Sequence, residues 1–130
     1  MREIFIMKKL LTLTIILSSL FTETFAQQKL MQYMQITTIE SVVGGGIGRS
    51  KMLISNADGT QEERDLENLF SIAGINFKNI KSNENDILNT LKSFTSKGWK
   101  LMSTVPLTLS PNQGGSGIFM TRYLLVKEEI

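Results

Sequence analysis

Glu62, Glu63, Asp65 and Glu67 crowd into one short segment, with Asp58 just before them and Glu40 further upstream. Paired carboxylates are the usual instrument of glycoside hydrolysis, one as acid and one as base or nucleophile, about 5–10 Å apart across a cleft. Arg64 interrupts the cluster, and a chain of 130 residues leaves little room for a cleft. A small carboxylate-dependent hydrolase using Glu40 or the Asp58–Glu67 segment is therefore an alternative and not the leading expectation. Asn56-Ala57-Asp58-Gly59-Thr60-Gln61-Glu62 also places oxygen ligands beside a glycine, as calcium loops do. It lacks the D-x-[DN]-x-[DN]-G order, and no helices flank it, even though Glu67 falls at the twelfth position. The segment reads as a turn followed by a solvated acidic stretch.

Two glycine-rich stretches invite a phosphate-binding reading. Gly44-Gly45-Gly46-Ile47-Gly48-Arg49-Ser50-Lys51 has cations beside its glycines, but it matches neither G-x-x-x-x-G-K-[ST] nor G-x-G-x-x-G, and no helical pattern follows it. Gly114-Gly115-Ser116-Gly117 fares no better, and both read as hairpin loops. A Ser–Lys dyad needs a lysine whose pKa is depressed by burial, and every lysine here has polar neighbours or stands at the end of an element. The chain has no Cys and no His. That excludes disulfides, thiolate zinc sites, His-held haem, Cys nucleophiles and triads built on imidazole. No cofactor, metal or catalytic residue is expected. Met31, Met34, Met52, Met102 and Met120 could line an adaptable pocket, which makes a small-ligand carrier a further alternative to ordinary core packing.

Met7-Lys8-Lys9, the uncharged apolar run Leu10 to Phe21, and Thr24-Phe25-Ala26 have the layout of a secretory signal peptide. Cleavage is expected after Ala26, leaving residues 27–130 as one small domain, periplasmic or secreted. The run of twelve residues rises only about 18 Å as a helix, too short for a bilayer core of about 30 Å, so no stable membrane anchor is expected. Translation could start at Met1 or Met7. The full chain carries 14 basic and 12 acidic side chains; losing three of the former and two of the latter with the signal leaves a net charge of +1. A near-neutral domain without a basic stripe or basic helix is not expected to bind nucleic acid.

Within the domain, Tyr33 to Val42 and Lys51 to Ile54 are rich in β-branched and apolar residues and predict a hairpin across the glycine segment. Asn56-Ala57-Asp58-Gly59 predicts a turn, and Gln61 to Asn68 reads equally as an edge strand or a short helix. Ser82-Asn83-Glu84-Asn85-Asp86 has the polar residues of a helix start, followed by Ile87, Leu88, Leu91 and Phe94 on one face. The helix is expected over about 84–97, ending at Gly98 in a left-handed cap. Trp99, Leu101, Ser103 and Val105 then alternate as one face of a strand ending at Pro106, with Trp99 in the core. Ile118 to Lys127 forms a last strand apolar on both faces: Ile118, Met120, Leu124 and Val126 on one, and Phe119, Tyr123 and Leu125 on the other. That pattern fits a central strand, or one whose second face meets a partner. The fold class is α+β, an antiparallel sheet of about four strands in two hairpins with one main helix packed on one face.

Gly98-Trp99-x-Leu101, preceded by an amphipathic helix and followed by Val105-Pro106, a glycine-bearing loop and a closing strand, resembles a family of short bacterial domains of unknown function. The resemblance covers Ser82 to Lys127 and extends to the strand near Tyr33; Gly44 to Ile80 is longer than that family's pattern. It implies a small α+β fold and brings no catalytic residues with it. The leading expectation is a non-enzymatic exported domain that binds another protein or a cell-envelope component through its sheet face or an exposed edge, with a homodimer as one form of this.

Overall fold

The computed structural model describes Arg2, Ile4 and residues 30–43, 48–109 and 117–129. The expected signal segment, its cleavage point and the choice of start between Met1 and Met7 lie outside the described residues, as do Gly44–Gly46 and Gly114–Ser116. The chain divides into two compact units, 1–30 and Met31–Ile130, and all that follows concerns the second. Its elements are β1 (Met31–Val42), β2 (Ser50–Ser55), β3 (Gln61–Leu66), β4 (Phe70–Ser71), β5 (Gly74–Ile75), α1 (Phe77–Thr95), β6 (Lys100–Leu109) and β7 (Gly117–Glu128).

Five strands form one antiparallel sheet in the order β3-β2-β1-β7-β6, and β4 and β5 form a separate two-stranded ribbon. The expected α+β class holds, with one main helix and two of the hairpins, β1–β2 and β6–β7, in place. The strand number does not hold, because Gln61–Leu66 pairs with β2 as an edge strand and adds a fifth member. The turn before it is built as its residues dictate. Asp58 accepts hydrogen bonds from Thr60 N at 2.9 Å and Thr60 Oγ1 at 2.6 Å, and Gly59 takes a φ of 85°. The β1–β7 ladder is the longest, running from Met31 opposite Glu128 to Val42 opposite Gly117.

The helix begins earlier than its polar cluster predicts. Asn76, not the Ser82–Asp86 group, is the cap: its side chain accepts from Lys78 N at 3.2 Å and Asn79 N at 3.3 Å. The expected start lies about two turns inside the helix, where Asn83 serves tertiary contacts instead of capping. The C-terminus is as expected, with Gly98 left-handed at φ 89° and Trp99 N donating to Phe94 O at 3.2 Å.

The core lies between α1 and one face of the sheet. Met34, Ile36, Met52, Ile54, Leu66 and Leu125 are buried, and Ile87, Leu91, Phe94, Trp99 and Tyr123 pack against them. Trp99 is thus half-buried at the helix–strand junction rather than fully interior. Strand β6 also departs from expectation. It continues through Pro106 to Leu109, and a register irregularity between Leu101 and Ser103 puts Leu101 opposite Leu125 but Ser103 opposite Leu124. The extra residue reverses the alternation. Leu101 therefore shares the helix side with Leu125, while Val105 and Leu107 fall on the other face.

Candidate functional site

Alternation along the strands sorts the sheet's side chains onto two faces. The face away from α1 can be read in rungs across the register. Glu63, Leu53, Thr37, Arg122 and Val105 form one rung, and Asp65, Lys51, Ile39, Met120 and Leu107 form the next. Further rungs add Gln35 with Leu124, Tyr33 with Val126, and Ile118 with Leu109. An antiparallel sheet covered on one side ordinarily turns polar residues outward. This one carries an apolar band on the side away from α1, half-buried at Leu53, Ile39, Met120 and Leu124, and every residue of β6 is exposed, with Val105 at 47%, Leu107 at 44% and Leu109 at 63%. The band is flanked by charge: Glu63 and Asp65 on the β3 margin, and Arg122 with Lys100 towards the β6 margin.

On the β3 margin Lys51 Nζ lies 2.5 Å from Glu63 Oε1 and 2.6 Å from Asp65 Oδ1. These hydrogen bonds, to Asp65 first and then Glu63, raise the Lys51 pKa above its ordinary value. A lysine held in its charged form is the reverse of what a Ser–Lys dyad needs.

The strand's own alternation also separates the acid cluster that the sequence presents as a group. Glu63 and Asp65 face away from the helix, whereas Arg64 faces it, donating to Thr90 Oγ1 at 3.2 Å and to Glu62 Oε2 at 3.2 Å. Glu40 accepts from Asn83 Nδ2 at 3.0 Å. Asp58 is occupied by Thr60, whose hydroxyl and then amide hydrogen bonds lower its pKa, the wrong direction for a general acid. In the grooves that Glu40, Asp65 and Glu67 border, the acids of this set stand singly, although Asp65 shares its groove with Asp86 and Glu40 shares its own with Glu84. Asp65 borders a groove of about 490 Å³ beside Arg64 and Thr90, and Glu40 borders one of about 330 Å³ beside Glu84, Leu88 and Tyr123. Burial and then the charge of Glu40 raise the Tyr123 pKa, so its phenol stays protonated beyond the ordinary range. Among the described residues no group of acids is placed to hold a metal ion, and no helix is long and apolar enough to cross a membrane.

The methionines do not converge. Met34 and Met52 are core residues, Met102 is 61% exposed, Met31 is partly exposed and Met120 lies half-buried on the open face. Gly48 closes against the sheet, since a Cβ there would stand 2.4 Å from Ser41 Oγ. That close approach gives this glycine of the tempting loop a packing role.

Sequence reasoning missed Asn83, which is fully buried within α1. Its amide accepts from Glu67 N at 2.8 Å, donates to Glu67 O at 2.8 Å and holds Glu40. Its position in a run of cap-forming residues hid this role; the signal was its spacing with Thr90 and Ile87 on the apolar side of the helix. Set against known proteins, the chain matches no protein-family model, no curated protein and no solved structure.

Proposed function

We propose that this chain is a non-enzymatic interaction domain, exported with cleavage after Ala26 and working in the periplasm or outside the cell, that engages a protein partner through the open face of its sheet. The observation that carries the reading is the apolar band on that face, from Leu53 and Ile39 across Met120 and Leu124 to Val105 and Leu107. Val105 and Leu107 are exposed while Leu53, Ile39, Met120 and Leu124 are half-buried, and a contiguous apolar surface supports an interaction role. The edges favour the face over strand addition. Strand β3 is blunted by alternating charges, and β6 is broken by its irregularity at Met102 and by Pro106, which has no N–H to donate. The N-terminal Lys8-Lys9, apolar run and Thr24-x-Ala26 support export.

The test places a photo-crosslinking residue at Leu107 or Val105 on the open face and, as a control, at Lys81 or Asn85 on the exposed side of α1. Adducts formed in the living cell from the open-face positions and not from the helix positions support the reading. Equal labelling from both, or none from the open face, refutes it. N-terminal sequencing of the protein recovered outside the cytoplasm should begin at Gln27.

A further inference from the structure

We propose that the β4–β5 ribbon and the first turns of α1 form a peripheral attachment site for an anionic phospholipid surface. The site is separate from the open face of the sheet and independent of what binds there. Ile72 is 93% exposed at the turn of the ribbon, and Ile75 in β5 and Phe77 at the start of α1 are each more than half exposed. Large apolar side chains so bare and so close together mark a contact surface. Local structure holds them out. Phe70 pairs with Ile75 and Ser71 with Gly74, and Gly74 supplies the left-handed φ of 104° that closes the turn. Ser71 Oγ accepts from Ala73 N at 3.3 Å and donates to Gly74 O at 3.3 Å. The base of the ribbon is tied to the domain: Asn76 N donates to Leu69 O at 2.8 Å, Leu69 N to Ser41 O at 3.3 Å, and Asn79 Nδ2 to Asn68 O at 2.8 Å. Asn76 is extended and turns its side chain in to cap the helix, so its neighbours Ile75 and Phe77 leave the chain on the opposite side.

Charge names the occupant. Lys78 and Lys81 are exposed next to Phe77, and Lys81 lies one turn along the same side of α1. Neither belongs to the ion pairs among the described residues, so both can meet an external anion. Apolar side chains at a convex tip with cations at its base match the layering of a phospholipid surface, in which acyl chains lie beneath phosphates. The dimensions agree. A two-residue strand rises about 7 Å, and apolar faces settle about 5–10 Å into the headgroup boundary. A protein would need a cavity shaped to the tip, whereas lipids part around it. Attachment through these few side chains is reversible and of the order of a single acyl chain, whose association constant is about 10⁴ M⁻¹.

The test is flotation on phospholipid vesicles of the chain from Gln27 onward, which contains the whole compact unit without the apolar run Leu10 to Phe21. Phosphatidylcholine vesicles with about 30% phosphatidylglycerol should bind it about tenfold or more better than phosphatidylcholine alone. Ile72→Ser and Lys78→Glu/Lys81→Glu should each lower the partition coefficient by about tenfold or more. Leu107→Ser, at an exposed apolar residue of the open face, should leave it unchanged. All these positions are exposed, and an unchanged urea midpoint by Trp99 fluorescence shows that each variant keeps the fold. Failure to bind at about 5 mM anionic lipid, binding indifferent to both tip variants, or an equal loss from Leu107→Ser overturns the inference. So does a photo-crosslinker at Ile72 that yields protein adducts and no lipid adducts in the living cell, the outcome that a protein partner at the tip would give. None of these results bears on the open face, which the crosslinks from Val105 and Leu107 decide.

Discussion

Asn83→Ala is expected to cost about 3 kcal/mol of stability. The substitution deletes two hydrogen bonds to the main chain of Glu67, each 2.8 Å, and a third to the Glu40 carboxylate at 3.0 Å. Neutral hydrogen bonds contribute about 1 kcal/mol each and one to a charged group about 1.5–3 kcal/mol, with a further penalty when a partner is left unsatisfied. Glu67 is itself exposed, so its main chain can turn to water, which holds the total near the lower end. A domain of this size has about 5–15 kcal/mol in all, so the loss is large. Trp99 is the chain's single tryptophan and packs against the core, so its fluorescence reports urea unfolding directly. With a slope of about 1–3 kcal/mol/M the midpoint should fall by about 1–3 M. Glu40→Gln keeps an acceptor and should cost about 1 kcal/mol. Asn83→Asp keeps the volume but turns a donor into an acid facing Glu40 and Glu67 O; it should be at least as damaging as alanine at neutral pH and partly recover in acid. A shift under about 0.5 kcal/mol for Asn83→Ala would refute the view that this one amide fastens the helix to both β1 and the end of β3.

Asn76→Ala should lower stability by about 1 kcal/mol through loss of the helix cap, measurable as a lower urea midpoint, whereas Ser82→Ala, at the polar cluster, should change it little. Gly98→Ala forces a side chain to φ 89°, where the nearest atom is Lys127 Cε at 3.6 Å; with no clash, the cost is backbone strain of about 1–2 kcal/mol. Tyr123 should titrate above the ordinary phenol range in an ultraviolet titration of the Tyr33→Phe variant, and Glu40→Gln should bring it partly back. Because folding raises this pKa, the stability it contributes is complete below about pH 10, the unfolded value, and is lost as pH rises through the folded one; Tyr123→Phe should flatten that alkaline decline. Trp99→Ala, half-buried, should cost about 2 kcal/mol, below the range for a fully buried aromatic.

Legibility differed from element to element for physical reasons. The helix C-terminus could be read because Gly98 is the residue that a left-handed cap requires and nothing distant competes for it. The helix start could not, because Asn76 and the Ser82–Asp86 group have the same capping chemistry; only tertiary structure shows that Asn83 looks inward to Glu67 and Glu40. The two faces of β7 were evident from alternation alone. The phase of β6 was not, since an irregularity at Met102 leaves no mark in residue type, yet it decides whether Val105 and Leu107 meet the helix or join the open face. Arg64, which looked like an interruption of an acid cluster, is where alternation turns one β3 side chain toward Thr90 while its neighbours turn toward Lys51.

The pairing of β1 with β7 has a consequence for how the domain comes into being. Met31 stands opposite Glu128, so the first strand made finds its long partner only when the last one exists. Through most of its synthesis the chain holds a strand whose far side has no mate, and β6 too must wait for β7 to join the sheet. Contacts so distant in sequence close slowly, and a sheet completed at its centre by its final strand folds after, not during, its emergence. Loss of even β7 alone would leave two separate pieces, β1–β2–β3 and β6, with no strand to join them.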